Sequence, residues 1–209
     1  MLRSPLPAGR ALAAASLTLL LAAGCADDGR ELAEPGPDQT TTTRPAPTTV
    51  APAQEVSESG LALSSPDFEP GASAPPSALC TGANRHPALS WAGVPDGTAE
   101  LAVTLSDQTN PAEPVLVWLV AGIDPTTTGL AAGELPAGAV ETTNDYGTTG
   151  WGSPCLEDLG GERQLQFRLH ALVSPSGLTT GFPGNEAWDQ VEAGAIDDAT
   201  VLMVVPAST

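Results

Sequence analysis

The sequence predicts a mostly β domain, built as two packed antiparallel sheets with one short helix near the C-terminal end. Three patterns predict it. Leu165, Phe167, Leu169 and Ala171 alternate with Gln166, Arg168 and His170, the period-two signature of a half-buried strand. Leu101, Val103 and Leu105 share one apolar face of the run 101–107. Val115 to Val120 is apolar throughout, as expected of a central strand covered on both sides. Val201 to Val205 adds a further short apolar run, and glycine and proline punctuate the stretches between. Only Glu186 to Ala193 reads as a helix: Asn185 supplies the cap, Trp188 and Val191 the inner face, and Gly194 the stop.

Three parts are expected along the chain: a signal peptide at 1–24, a lipidated cysteine with a disordered Thr- and Pro-rich stalk at 25–57, and the β domain at 58–209. Arg3 and Arg10 give a positive start. Ala11 to Ala23 follows, apolar apart from Ser16 and Thr18. That run is too short to cross a hydrocarbon core roughly 30 Å thick as a helix, but it suits a signal-peptide core. Leu21-Ala22-Ala23-Gly24-Cys25 then resembles the lipobox of bacterial lipoproteins, with Ala22 standing where leucine is usual. The resemblance implies diacylglycerol on the Cys25 thiol and cleavage before it. Acyl chains such as palmitate would hold the protein at the extracytoplasmic face of the cell membrane, and two chains suffice for a stable anchor. The alternative is an ordinary signal peptide cut near Gly24. The stretch from Asp38 to Val50 lacks apolar periodicity and cannot bury enough surface to offset its ordering entropy. It reads as a spacer that lifts the domain off the membrane.

Charge excludes some partners. The chain holds seven arginines, no lysine and 25 acidic residues. Removing residues 1–24 takes two arginines and no acid, leaving a formal charge near −20. Nucleic acid and anionic headgroups are repelled by that field. Lipidation of Cys25 leaves Cys80 and Cys155, and an even pair in an oxidising compartment reads first as a disulfide. Closing that loop would stabilise by about 4 kcal/mol in the chain-entropy model. Two free buried thiols are the alternative.

Catalytic equipment is sparse, and no enzyme activity, metal or cofactor is expected. By parity His170 lies on the polar face of its strand and is expected at the surface. His86, in Asn84-Arg85-His86-Pro87, reads as a loop histidine without metal-ligand neighbours. No Gly-x-Ser-x-Gly elbow, His-Glu-x-x-His or phosphate-cradling glycine loop occurs. One pair stands out. Asp107 continues the inward register of Leu101, Val103 and Leu105, and Arg163 that of Leu165 and Phe167. If those strands are antiparallel neighbours, both charges converge at one end of the apolar core. There they either recognise a small polar ligand at a Trp-lined mouth or close the sheet end as a structural ion pair.

Ser65-Pro66-Asp67-Phe68 and the block from Cys80-Thr81-Gly82 to Gly93-Val94-Pro95 resemble the opening of the bacterial phosphatidylethanolamine-binding protein family, also called Raf-kinase-inhibitor-like. Asp107-Gln108-Thr109-Asn110-Pro111 stands where that family has Asp-Pro-Asp-Ala-Pro, and Val117-Trp118-Leu119-Val120 where it has His-Trp-Val-Val. Asn144-Asp145-Tyr146-Gly147 then precedes Trp151-Gly152-Ser153-Pro154-Cys155, similar to its Gly-Pro-Cys segment. The resemblance implies a β-sandwich with a small pocket for phosphate-like headgroups. The ligand-binding set carried over is Asp107, Pro111, Trp118, Ser153, Pro154 and Arg163. Val117 and Arg163 replace the two pocket histidines, so a donor is lost and a permanent cation gained. Cys80 and Cys155 both fall in motifs near the implied pocket rim. A binding module for a small anionic or zwitterionic ligand is expected, or a protein-interaction or inhibitor domain whose pocket is vestigial. No particular protein partner is implied.

Overall fold

The computed structural model describes residues 53–152 and 161–207. Cys25, the signal peptide, nearly all of the stalk, Ser153, Pro154 and Cys155 lie outside them. Nine strands and one α-helix are described: β1 (Gln54–Glu55), β2 (Ala62–Ser64), β3 (Leu89–Ala92), β4 (Glu100–Asp107), β5 (Val115–Ile123), β6 (Gly129–Leu130), β7 (Val140–Glu141), β8 (Arg163–Leu172), α1 (Gly184–Gly194) and β9 (Ala195–Val205). β1 falls within the segment read as stalk.

A six-stranded sheet has the order β1-β9-β8-β4-β5-β7 and a three-stranded sheet the order β2-β3-β6. All these pairings are antiparallel. The small sheet covers one face of the large one. Leu63, Leu89 and Trp91 pack there with Leu101, Val103, Leu105, Phe167, Leu169, Val201 and Met203. The opposite face, at Ala102, Leu116, Leu119, Ala121 and Leu172, is covered by Ala187 and Val191 of α1. β4 is therefore buried along its whole length. Each fully buried Leu, Val or Phe contributes about 1.5–3 kcal/mol relative to exposure.

Two bulges break the parity of β5. Leu105 pairs with Trp118 but Ser106 with Leu116, so one extra residue is accommodated and Val117 and Trp118 both join the inter-sheet core. The second bulge contains Gly122, whose φ of +75° is a conformation costly for any residue with a Cβ. The outer edge of β9 is paired with β1, and beyond it the Gly71 and Ala74 amides donate to the Leu202 and Val204 carbonyls at 2.7 Å, which blunts the edge.

Three expectations are corrected. The helix begins at Gly184, not Glu186, because the Pro183 carbonyl accepts the Ala187 amide at 2.9 Å. Pro183 is therefore the cap, and Asn185 lies in the first turn. The run 201–205 is only the second half of β9. Its first half, with Ile196 and Asp198 exposed, carries no apolar signature. His170 is not at the surface: it is 1% exposed, and its Nε2 is 3.0 Å from the Thr104 hydroxyl. Its side of the sheet is a second buried layer there, since the neighbouring Ala102 and Leu172 pack under α1. Burial, with Arg168 adding to it, pushes the imidazole down to about 3, so it is neutral at physiological pH.

Candidate functional site

β4 ends at Asp107 and β8 begins at Arg163. The antiparallel register sets Asp107 opposite Leu165, two residues from Arg163, which brings both side chains to the same sheet end. Arg163 Nη1 donates to Asp107 Oδ2 at 3.4 Å. The carboxylate side chain is 5% exposed and the guanidinium 24%, so the pair has a dry side and a wet side. Asp107 Oδ1 accepts the Thr109 amide at 2.9 Å, Thr109 Oγ1 accepts the Gln164 amide at 3.0 Å, and the Gln108 amide donates to the Gln164 carbonyl at 2.7 Å. The loop after β4 is thus tied to the first residues of β8.

A turn at 144–150 docks beside this pair. The buried Asn144 amide group donates to the Val117 and Gly150 carbonyls at 3.1 and 3.2 Å. Its oxygen accepts the Tyr146 and Thr148 amides, each at 3.1 Å. Asp145 adds two bonds to Leu116, accepting its amide at 2.7 Å and donating its own amide to the carbonyl at 3.0 Å. A Cβ on Gly152 would collide with the Asn144 amide, so glycine is required where the chain leaves the turn. The turn presents Tyr146, 45% exposed, toward the ion pair. Burial, then the Asp107 charge, holds its phenol above the ordinary range, with Arg163 pulling the other way.

Beneath lies an aromatic cluster. Trp118, fully buried, donates from Nε1 to Glu141 Oε1 at 2.7 Å. Trp151 meets it edge-on at 5.6 Å and stacks on Phe167 at 6.3 Å. His86 stacks on Trp118 with centroids 4.8 Å apart and rings 17° from parallel. Only 3% of His86 is exposed, and burial lowers its pKa against the opposing pull of the Pro87 carbonyl and Glu141.

Of the residues expected in the site, Asp107 and Arg163 meet, Trp118 lies in the wall behind them, and Pro111 is exposed on the loop after β4. Val117 is fully buried beside Trp118. Cys80 is half-buried just after a 3-10 turn at Pro76–Ala78. Sequence reasoning missed Glu141, Asn144 and Tyr146 as site builders, and missed the burial of His86. The isolated polar-aromatic motif Asn144-Asp145-Tyr146-Gly147 was the one available signal. Nothing local to His86 or Glu141 announces a partner more than 20 residues away.

A family model described as phosphatidylethanolamine-binding protein matches residues 64–205. "Putative lipoprotein LppC" of Mycobacterium tuberculosis is 33% identical over 192 residues, covering 91% of this chain and 93% of that protein. A UPF0098 protein of Methanothermobacter thermautotrophicus is 34% identical over 128 residues, covering 59% of this chain and 83% of that protein. Among solved structures, Escherichia coli YbcL, described as a new member of the mammalian PEBP family, superposes with a TM-score of 0.65. It is 28% identical, over 71% of this chain and 99% of YbcL. Two sheets, one helix and the ordered motifs around Asp107, Trp118 and Trp151 agree with these matches: the chain belongs to the phosphatidylethanolamine-binding protein family.

Proposed function

We propose that the domain is a non-enzymatic binding module for a small anionic or zwitterionic, phosphate-like ligand, held at the sheet end where Asp107 and Arg163 meet. The carrying observation is the Asp107–Arg163 pair, dry on its carboxylate side and partly open on its guanidinium side. At 3.4 Å the contact is longer than the 2.7–2.9 Å typical of a charge-assisted bond, and a guanidinium is suited to bidentate contact with a phosphate-like anion. Tyr146 and Pro111, both exposed, belong to the rim in this reading; Ser153 and Pro154, proposed with them on the family resemblance, lie outside the described residues. A Cys80–Cys155 disulfide at the same rim belongs to it. So does attachment to the extracytoplasmic face of the membrane through lipid on Cys25, which the name of the mycobacterial relative supports. The non-enzymatic part of the reading is supported by the hydroxyl–imidazole pair Thr104–His170, which among the described residues is sealed from solvent.

Direct contact between Asp107 and Arg163 favours a second reading, in which the pair closes the pocket and the domain acts as a protein-interaction or inhibitor module through its surface. Thermal unfolding in rising inorganic phosphate separates the two. A ligand that binds only the folded form raises apparent stability by about 2.7 kcal/mol at a hundred times its Kd. The binding reading predicts such a rise for the native protein and none for Arg163→Ala; no rise in either leaves the second reading.

A further inference from the structure

β6 leaves one sheet edge open. The Trp91 amide donates to the Thr128 carbonyl at 3.0 Å, so Trp91–Thr128 and Leu89–Leu130 are the hydrogen-bonded pairs of the β3–β6 ladder. Between them Ser90 and Gly129 face each other as a non-hydrogen-bonded pair. The Gly129 N–H and C=O therefore point away from β3, and among the described residues no backbone group bonds them. Other edges are treated differently. The Leu63 carbonyl of β2 accepts the Gln54 side-chain amide at 2.7 Å, and the Glu141 carbonyl of β7 accepts the Gly181 amide at 2.9 Å. Glycine is required at 129, since a Cβ there would collide with the Leu89 carbonyl oxygen, and it leaves the outer backbone unshielded.

Beside that edge lies a cavity of about 170 Å³, lined by Gly129, Leu130, Ala131, Glu134, Leu135 and Pro136. Pockets for small organic ligands run about 300–1,000 Å³, so this one suits a single long side chain. Glu134 is exposed, and among the described residues its carboxylate makes no ion pair. Arg85 packs its side-chain carbons beside Gly133 without pairing with it. Leu135, 37% exposed, offers an apolar surface to a methylene stem. An unpaired carboxylate, an apolar wall and a chain with 25 acidic against seven basic residues are together complementary to a cationic side chain.

We propose that β6 is the docking edge for an extended, lysine- or arginine-bearing segment of a partner protein. The segment joins the small sheet as a fourth strand, exchanges backbone hydrogen bonds with Gly129, and lays its cationic side chain in the cavity against Leu135 and Glu134. This inference is independent of the ligand reading, because Asp107 and Arg163 lie on strands of the other sheet.

Calorimetry and backbone amide shifts of the full chain, titrated with the synthetic peptide Ser-Thr-Val-Lys-Val-Thr-Ser, test it. Saturable binding is expected, with shifts centred on Gly129 and Glu134 and none at Thr109 or Gln164. The same peptide with glutamate in place of lysine should not bind. Glu134→Gln, an exposed change, should weaken binding of the lysine peptide about fivefold, the upper range for a partly exposed ion pair. A strand turns only alternate backbone N–H groups toward a given neighbour. Methylating one alternating set of peptide nitrogens should therefore abolish binding, and methylating the other should leave it. Equal effects of the two sets would mean charge attraction without strand pairing, and would overturn the inference. So would failure of the lysine peptide to bind, shifts centred at the Asp107–Arg163 end, or sedimentation showing a second copy of this chain seated on the edge. Phosphate binding by Arg163 is titrated separately, so either reading can fail while the other stands.

Discussion

Strand β4 carries a buried carboxylate at each end, and the two are treated in opposite ways. Glu100 opens the strand at 7% exposure and Asp107 closes it at 4%, roughly 23 Å away along the chain. At the Glu100 end, Oε1 accepts the Gly122 amide at 2.9 Å and the Ser176 hydroxyl at 2.6 Å, and Oε2 accepts the Ser176 amide at 3.0 Å. Those donors come from a bulge and a loop, so the acid pins two irregular segments to the sheet. At the Asp107 end, one oxygen steadies Thr109 and the other faces a half-buried guanidinium beside an exposed tyrosine. A carboxylate saturated by backbone and hydroxyl donors does structural work. One facing a partly open cation marks, in the proposed reading, the end where a ligand is recognised.

The largest expected effect lies at the closed end. Glu100→Ala strands the Gly122 and Ser176 donors and should destabilise the domain by about 3 kcal/mol in urea unfolding. It should leave the relative affinities for phosphate compounds unchanged. A loss of less than about 1 kcal/mol would mean that the bulge and loop hold without the acid, and the contrast between the ends would weaken.

A middling effect should come from acidity. His170 is depressed to about 3 in the folded protein, against an ordinary value of 6.5. The unfolded chain therefore binds the proton first, and stability falls as pH drops from 6.5 toward 3. Between pH 6.5 and 5 the loss should be about 2 kcal/mol. His86 adds in the same direction, its pKa also being lowered by burial. Urea midpoints of the native protein and His170→Gln check this, the variant being expected to show the shallower pH slope. Parallel slopes would contradict a neutral, sealed His170.

The smallest effect on stability belongs to the open end. Arg163→Ala removes a partly exposed ion pair and should change stability by no more than about 1 kcal/mol. It should nevertheless abolish the response to phosphate. Stability and ligand response thus trade places between the two ends of one strand.

Period-two alternation made β8 and β4 legible in the sequence, and their shared inward register placed Asp107 and Arg163 together before any coordinates. Where that logic failed, the third dimension intervened. Parity sorts side chains to faces but does not say whether a face is wet, so His170 was assigned to the surface although α1 closes over its neighbours. Bulges reset parity within β5, which is why Val117 and Trp118 both point into the inter-sheet core. Glu141 and His86 join the Trp118 wall through contacts 23 and 32 residues apart in the chain, beyond the reach of any local pattern. The proposed site is less legible than the sheet for the same reason: around the strand-end residues Asp107 and Arg163 it draws on loop residues such as Tyr146 whose neighbours are set by the fold.

Backbone amide chemical shifts during a phosphate titration test the central contrast most directly. Perturbations should centre on Thr109, Gln164 and Tyr146, around Arg163, while Gly122 and Ser176 at the Glu100 end stay in place. Shifts concentrated at the Glu100 end, or none at saturating phosphate, would contradict the assignment of ligand recognition to the Asp107–Arg163 end.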